Sequence, residues 1–333
     1  MSSILPDPDE PAAEDILWRY LPHANFERLL KSRPSLSTWG ILSDTDPCPD
    51  SWRSFGSLWF AGPDLYRMKD LTQGGDPREG TFPAFNLVDE EVCRHGAGRM
   101  GLDPEGEEAK RRCQAYLRRN NDWFRGQKRL MTRLCGVTCW HHNMSENPDM
   151  WRAYVPGGMG VVVRNTMLGL AKSVLDQTLI VHERATNPSE VRAASKFREA
   201  LQVANLKFAR AKYVDLDDTF EPLDGFRDIL RLKGEGFRHE NELRGIARSP
   251  FLADRSNKRL ASLSEVEVND SLKRAPGFNM SVNLETLLAE VRVSPGAGDT
   301  YLEKVRGLMA TKGLTLDRVR LSELDNGVFG GGV

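Results

Sequence analysis

The spacing of apolar positions along this chain switches repeatedly between the helical and the extended period. Phe26, Leu29 and Leu30 recur at helical intervals and predict a helix over 25–30, while Ser57-Leu58-Trp59-Phe60-Ala61 reads as a strand. With the segment starting near Ile16, these make a strand, a helix and a strand. Over 107–124, Ala109, Cys113, Tyr116, Leu117 and Trp123 gather on one side of an amphipathic helix, and Arg111, Arg112, Arg118 and Arg119 on another. Further strands are predicted at 136–140, 161–163, 212–216, 290–293 and 318–321. The stripe Val191, Ala194, Phe197, Leu201, Phe208 and Ala211 predicts a core-facing helix over 189–211, and a last helix over 300–312 stops at Gly313.

Strands interleaved with helices, without an internal repeat, predict one α+β domain over 16–325, with mixed, mostly antiparallel sheets and flanking helices. An acidic flexible tail over 1–15 and a Gly-rich tail over 326–333 are expected to flank it. Residues 70–106 are rich in Gly, Pro and charge and, with the basic helix, predict a long insertion at about 70–135. Inside it, Gly96-Ala97-Gly98-Arg99-Met100-Gly101 has the lettering of a dinucleotide fingerprint. Asp89-Glu90-Glu91 before it and Pro104 after it deny it the strand and helix that such a motif needs.

Composition narrows the setting. The formal charge is −1, from 46 Lys and Arg against 47 Asp and Glu, so no global field recruits nucleic acid or membrane. Basic character is local, with nine basic residues and one acid between Lys110 and Arg133; a solvated face and an anion-binding surface are both open there. Five cysteines, no leader-like segment and no apolar run approaching the roughly 18 residues of a membrane span predict a cytoplasmic protein that does not cross a bilayer.

Glu240-Asn241-Glu242-Leu243-Arg244 carries the most chemistry. In a strand Glu240, Glu242 and Arg244 project to one face, with the carboxylates about 7 Å apart and Arg244 favouring ionised Glu242. An exposed strand face with an ion pair of little value gives the same pattern. Cys135, Cys139, His141 and His142 could suggest a metal, but a Cys-x3-Cys spacing within a strand has no turn to fold around one, and packing is expected instead. The glycines at 157, 158 and 160 precede a strand, so they form no phosphate-cradling loop of the usual kind.

Taken together, Trp18-Arg19-Tyr20, the strand Ser57 to Pro63, Asp76-Pro77-Arg78-Glu79-Gly80, Met150-Trp151-Arg152-Ala153-Tyr154 with Gly160 and its β-run, and the Glu-x-Glu-x-Arg strand resemble a bacterial family, the domain of unknown function numbered twenty-nine seventy-one. The likeness covers about 16–324. Here Asp76-Pro77 lacks the Asn that usually precedes it, and the loop over 80–107 is long for the family. The order Arg19, Trp59-Phe60, then Glu240 and Glu242 is also similar to the arginine, serine, glutamate class of ADP-ribosyltransferases, although the Ser-Thr-Ser element of that class is not evident.

That second resemblance implies an ADP-ribosyltransferase-like core and a bacterial effector, a toxin or anti-phage protein, that uses NAD without a metal and modifies a protein or nucleic acid, with a possible antitoxin or immunity partner. It casts Glu242 as the carboxylate that stabilises the ribosyl cation and Glu240 as the acceptor-side acid. Arg19 would hold the pyrophosphate. Tyr20, Trp59, Phe60, Trp151, Tyr154 and Arg244 complete the implied NAD site; core aromatics bracing a turn account equally for Trp151 and Tyr154. The alternatives are a nucleic-acid-binding or nucleic-acid-processing protein acting through 110–133, and a catalytically inactive interaction domain.

Overall fold

The computed structural model describes residues 11–31, 54–62, 103, 106–116, 118, 135–175, 206–214, 229–248 and 277–326. The fingerprint-like glycines at 96–101, Glu79, most of the insertion and the segment 189–205 lie outside them.

The chain is mixed α+β, built on a mostly antiparallel sheet. β1 (Ile16–Pro22) leads into α1 (His23–Lys31), and β2 (Phe55–Ala61), β3 (Cys135–His142), β4 (Gly160–Thr166), β8 (Glu242–Arg248), β9 (Gly277–Asn283), β10 (Glu290–Val293) and β11 (Val319–Leu321) extend it. β5 (Lys207–Arg210) pairs with β8. The predicted helix over 189–211 therefore fails at its end, because Phe208 lies opposite Gly245 and packs against the core, a tertiary pairing that overrides helical spacing. β6 (Lys212–Val214) and β7 (Leu232–Gly234) form a separate parallel pair.

Strand alternation assigns a different covering to each face. Phe26, Leu29 and Leu30 of α1 enter the main core with Leu17 and Leu21 of β1. So do Leu170 and Val174 of α3 (Met167–Leu175) and Val305 and Met309 of α5 (Gly298–Ala310). Each fully buried aliphatic or aromatic side chain of this kind contributes about 1.5–3 kcal/mol. α4 (Leu284–Leu287) starts on an Asn283 cap. The opposite face meets α2 (Pro148–Tyr154), which Asn147 caps through the N–H groups of Asp149 and Met150. Its Met150 and Trp151 pack on Trp18, Tyr20 and Val162.

The sheet forks at β3. His141 pairs with Trp18 on one side and Glu242 on the other, and Val137 with Ala61 on one side and Ile246 on the other. β8 therefore occupies one whole edge of β3, while β1 and β2 share the opposite edge at its two ends. Arg19 spans the opening, donating to the Thr138 hydroxyl and lying 5.6 Å from the Trp140 ring centroid.

Residues 11–15, expected within the flexible tail, are tied to the domain. The carbonyls of Asp15 and Ala13 accept from Met167 and Leu168, two of the orphan N–H groups that open α3. Asp15 also binds Arg210 at 2.5 Å and His142 at 3.3 Å. Residues 107–116 are helical as predicted, with Ala109 and Cys113 buried. Lys110, Arg111 and Arg112 pair there with Glu107 and Glu108 on the exposed side. Among the described residues no helix is long and apolar enough to cross a membrane.

Candidate functional site

The acidic pair lies at the join between the main sheet and the small β6–β7 sheet. Glu240 is not in the strand as expected; it ends a 3₁₀ turn over Glu235–Glu240, and Asn241 adopts left-handed backbone at φ 41° before β8 begins. Asparagine tolerates that conformation better than most residues. Here its side-chain amide donates to the His142 carbonyl at 2.5 Å, and its own carbonyl accepts from His142 N–H at 2.9 Å. The reversal still leaves both carboxylates together, through a residue the sequence reading missed.

That residue is Lys233 of β7. Its Nζ lies 2.6 Å from Glu240 Oε2 and 2.8 Å from Glu242 Oε2. Arg244 grips Glu242 with Nε at 3.2 Å and Nη2 at 3.3 Å, and its Nη1 donates to the Leu230 carbonyl at 2.6 Å. Glu240, Glu242, Lys233 and Arg244 are all buried, so the exposed ion pair that the strand pattern also allowed is not what forms. A lone lysine following Ile229-Leu230-Arg231-Leu232 was the available signal, since a lysine packed among apolar residues requires an acid partner.

Electrostatics fix the charge states. Burial pushes the Glu242 carboxyl upward, but Arg244 and Lys233, helped by the Cys139 thiol, outweigh it and hold the pKa at about 2. Burial likewise pushes the Lys233 ammonium down, and Glu242 and Glu240 lift it well above its usual range. Two carboxylates thus meet two cations, and ionised Glu242 is matched by both of them.

Two tyrosines complete it. Tyr154 Oη donates to Glu240 Oε2 at 2.9 Å, and burial of that hydroxyl beside Glu240 raises its pKa well above 10 although the residue as a whole is 38% exposed. Tyr213 Oη accepts from Glu242 N–H at 2.7 Å, and burial lifts its pKa to about 12. His141 is directly opposite Glu242 in the ladder, and its Nδ1 bonds to the Glu240 carbonyl.

No protein-family model, curated protein or solved structure matches this chain. Any account of function therefore rests on the geometry.

The remaining sequence candidates separate. Tyr20 lies on the quartet's face, with its ring 6.2 Å from His141 and 5.1 Å from Trp151 in an edge-on contact. Its hydroxyl accepts from Asn147 N–H. Trp151 is buried and donates to Glu146 Oε2 at 2.9 Å, so it braces that second cluster. Glu146 also binds Arg292 at 2.7 Å and Ser322 at 2.5 Å. Arg19 is one residue out of phase with Trp18, whose Cα partner is His141, and therefore emerges on the Thr138 and Trp140 face, away from the carboxylates. Phe60 is core, stacked on Phe278 at 5.4 Å between centroids. Trp59 is 36% exposed and covers Gly277. Cys135 packs with Val137, Leu230 and Ile246, and Cys139 packs against them.

Proposed function

We propose that the quartet is the catalytic centre of an NAD-consuming ADP-ribosyltransferase-like effector. The observation that carries this reading is Glu242, a buried carboxylate kept ionised by Arg244 and Lys233. At a pKa of about 2 it is useless as a general acid and weak as a base, but suited to stabilising positive charge. Nicotinamide departure from NAD creates such charge on the ribosyl carbon and needs no acid, because the leaving group is already cationic. Both oxygens of Glu242 are fixed before substrate arrives, so no reorganisation accompanies the reaction. Tyr154 has the largest exposure in the cluster and marks the approach from solvent.

The diphosphate role of Arg19 is no part of this reading, because Arg19 emerges on the Thr138 and Trp140 face of the sheet. The acceptor would be a protein or nucleic acid, and a toxin or anti-phage role follows the resemblance to ADP-ribosyltransferases.

Complete charge pairing of the quartet and its burial favour one other reading, in which it is a structural clamp in an interaction domain without turnover. Incubation with NAD and detection of free nicotinamide separates the two, comparing wild type with Glu242→Gln after circular dichroism establishes that both are folded. The enzyme reading expects release that Glu242→Gln abolishes, with an NAD-dependent rise in melting temperature. Absence of both release and thermal shift in the wild type overturns it.

A further inference from the structure

His141 is the one ionisable side chain of this cluster left with an unsatisfied atom. The residue is 7% exposed, and its Nε2 is buried with no hydrogen-bond partner among the described residues. The other ring nitrogen settles the tautomer. Nδ1 contacts the Glu240 carbonyl, which can only accept, so Nδ1 carries the hydrogen and a neutral ring keeps its lone pair on Nε2. A buried acceptor without a donor is costly, and in native proteins such an atom calls for an explanation, a catalytic role among them.

Three of the four neighbouring carboxylate oxygens already have partners. Both Glu242 oxygens face cations, and Glu240 Oε2 already receives Lys233 and Tyr154. Resting on the transferase reading above, we propose that His141 is the general base that takes the acceptor's proton. The acceptor O–H attacks the anomeric carbon of the ribosyl group as the bond to nicotinamide breaks, and that electron pair leaves with nicotinamide and neutralises its ring nitrogen. A carbon–oxygen bond forms, and the proton passes to Nε2. The resulting imidazolium keeps its Nδ1–H bond to the Glu240 carbonyl while Glu242 stays ionised beside it.

The groups facing His141 suit this role. Glu240 and His239 come from the 3₁₀ turn, Glu242 from its ladder position on β8, Tyr20 from β1, and His142 from its own strand. Burial lowers the ring's pKa below the ordinary 6.5, and the Glu240 contacts offset this only in part, so the base is free at neutral pH.

The test is the pH dependence of nicotinamide release by wild type and His141→Asn, whose amide keeps a donor near the Nδ1 position but has nothing at Nε2. Wild type should lose activity as pH falls through a midpoint below 6.5, and the His141 ring should titrate at that midpoint by NMR. His141→Asn should still give the NAD thermal shift while turning over on the order of 10²–10⁴-fold more slowly, without the acid limb. A rate within about threefold of wild type, or a surviving acid limb, overturns the proposal and leaves the transferase reading intact. If His141→Asn does not fold, the wild type decides, and a midpoint that differs from the ring's overturns the assignment. Absence of release and thermal shift in the wild type removes the reading and this proposal together.

Discussion

Lys233→Met tests the quartet most directly. The substitution keeps much of the stem's volume and removes a cation that lies 2.6 Å and 2.8 Å from two carboxylates, in a cluster where all three side chains are at most 8% exposed. Removing one member of a buried pair costs about 3–5 kcal/mol, and because one ammonium serves two acids the upper part of that range is expected near neutral pH. The pH dependence gives a second, independent handle. In the wild type Glu242 falls from 4.5 to about 2, which at roughly 1.4 kcal/mol per pH unit is about 3 kcal/mol of stability. The folded pKa is depressed, so that contribution is complete above 4.5 and lost as pH falls toward 2.

In Lys233→Met the sign reverses for the acid left without its cation. Burial then raises its pKa, so its contribution is least unfavourable below the ordinary carboxylate range and worsens as pH rises. The gap between the two proteins should therefore narrow from near pH 7 to near pH 4.5. Urea unfolding at both values measures it. A gap below about 1 kcal/mol near pH 7, or one that does not shrink on acidification, refutes the argument. Adding Glu240→Gln to Lys233→Met leaves the compensated Glu242 and Arg244 pair and should recover a large part of the loss, a coupling that a double-mutant cycle reads.

Tyr154→Phe removes a buried hydrogen bond to a carboxyl oxygen and should cost about 1–3 kcal/mol in the same urea assay, with unchanged dependence on denaturant. Arg292→Met strips the cation from buried Glu146 and leaves Glu290 with Arg164 alone, and a loss of about 3–5 kcal/mol is expected; a loss under about 1 would mean that Ser322, the Trp151 indole and the Glu323 N–H satisfy Glu146 by themselves. Gly56→Ala would set a Cβ 2.3 Å from the Leu29 carbonyl oxygen and 2.6 Å from Leu284 Cδ2, so α1 must move off β2; about 2–3 kcal/mol of destabilisation is expected from chemical unfolding, and a neutral result would contradict that packing.

Local pattern determined much of the element list in this chain. Phe26, Leu29 and Leu30 announce α1 because helical spacing alone puts three apolar side chains on one stripe. Extended alternation marks Glu290 to Val293 as a strand, and the last helix is legible from its stop at Gly313. The Glu240 and Glu242 pair with Arg244 stands out because so much charge in so few residues needs an explanation. What the sequence could not decide is how distant segments meet. Lys207 to Arg210 becomes a strand only because β8 offers a free edge, Phe60 is core only because Phe278 arrives to stack on it, and Arg19 is separated from the acids by the register of β1 on β3. Above all, the Lys233 ammonium that binds both carboxylates and the His141 nitrogen that has no partner among the described residues depend on a small second sheet and a left-handed Asn241. Periodicity records which face a residue takes within its own element, whereas charge compensation between β7, β8 and β3 is a property of distances that exist only after those elements have packed.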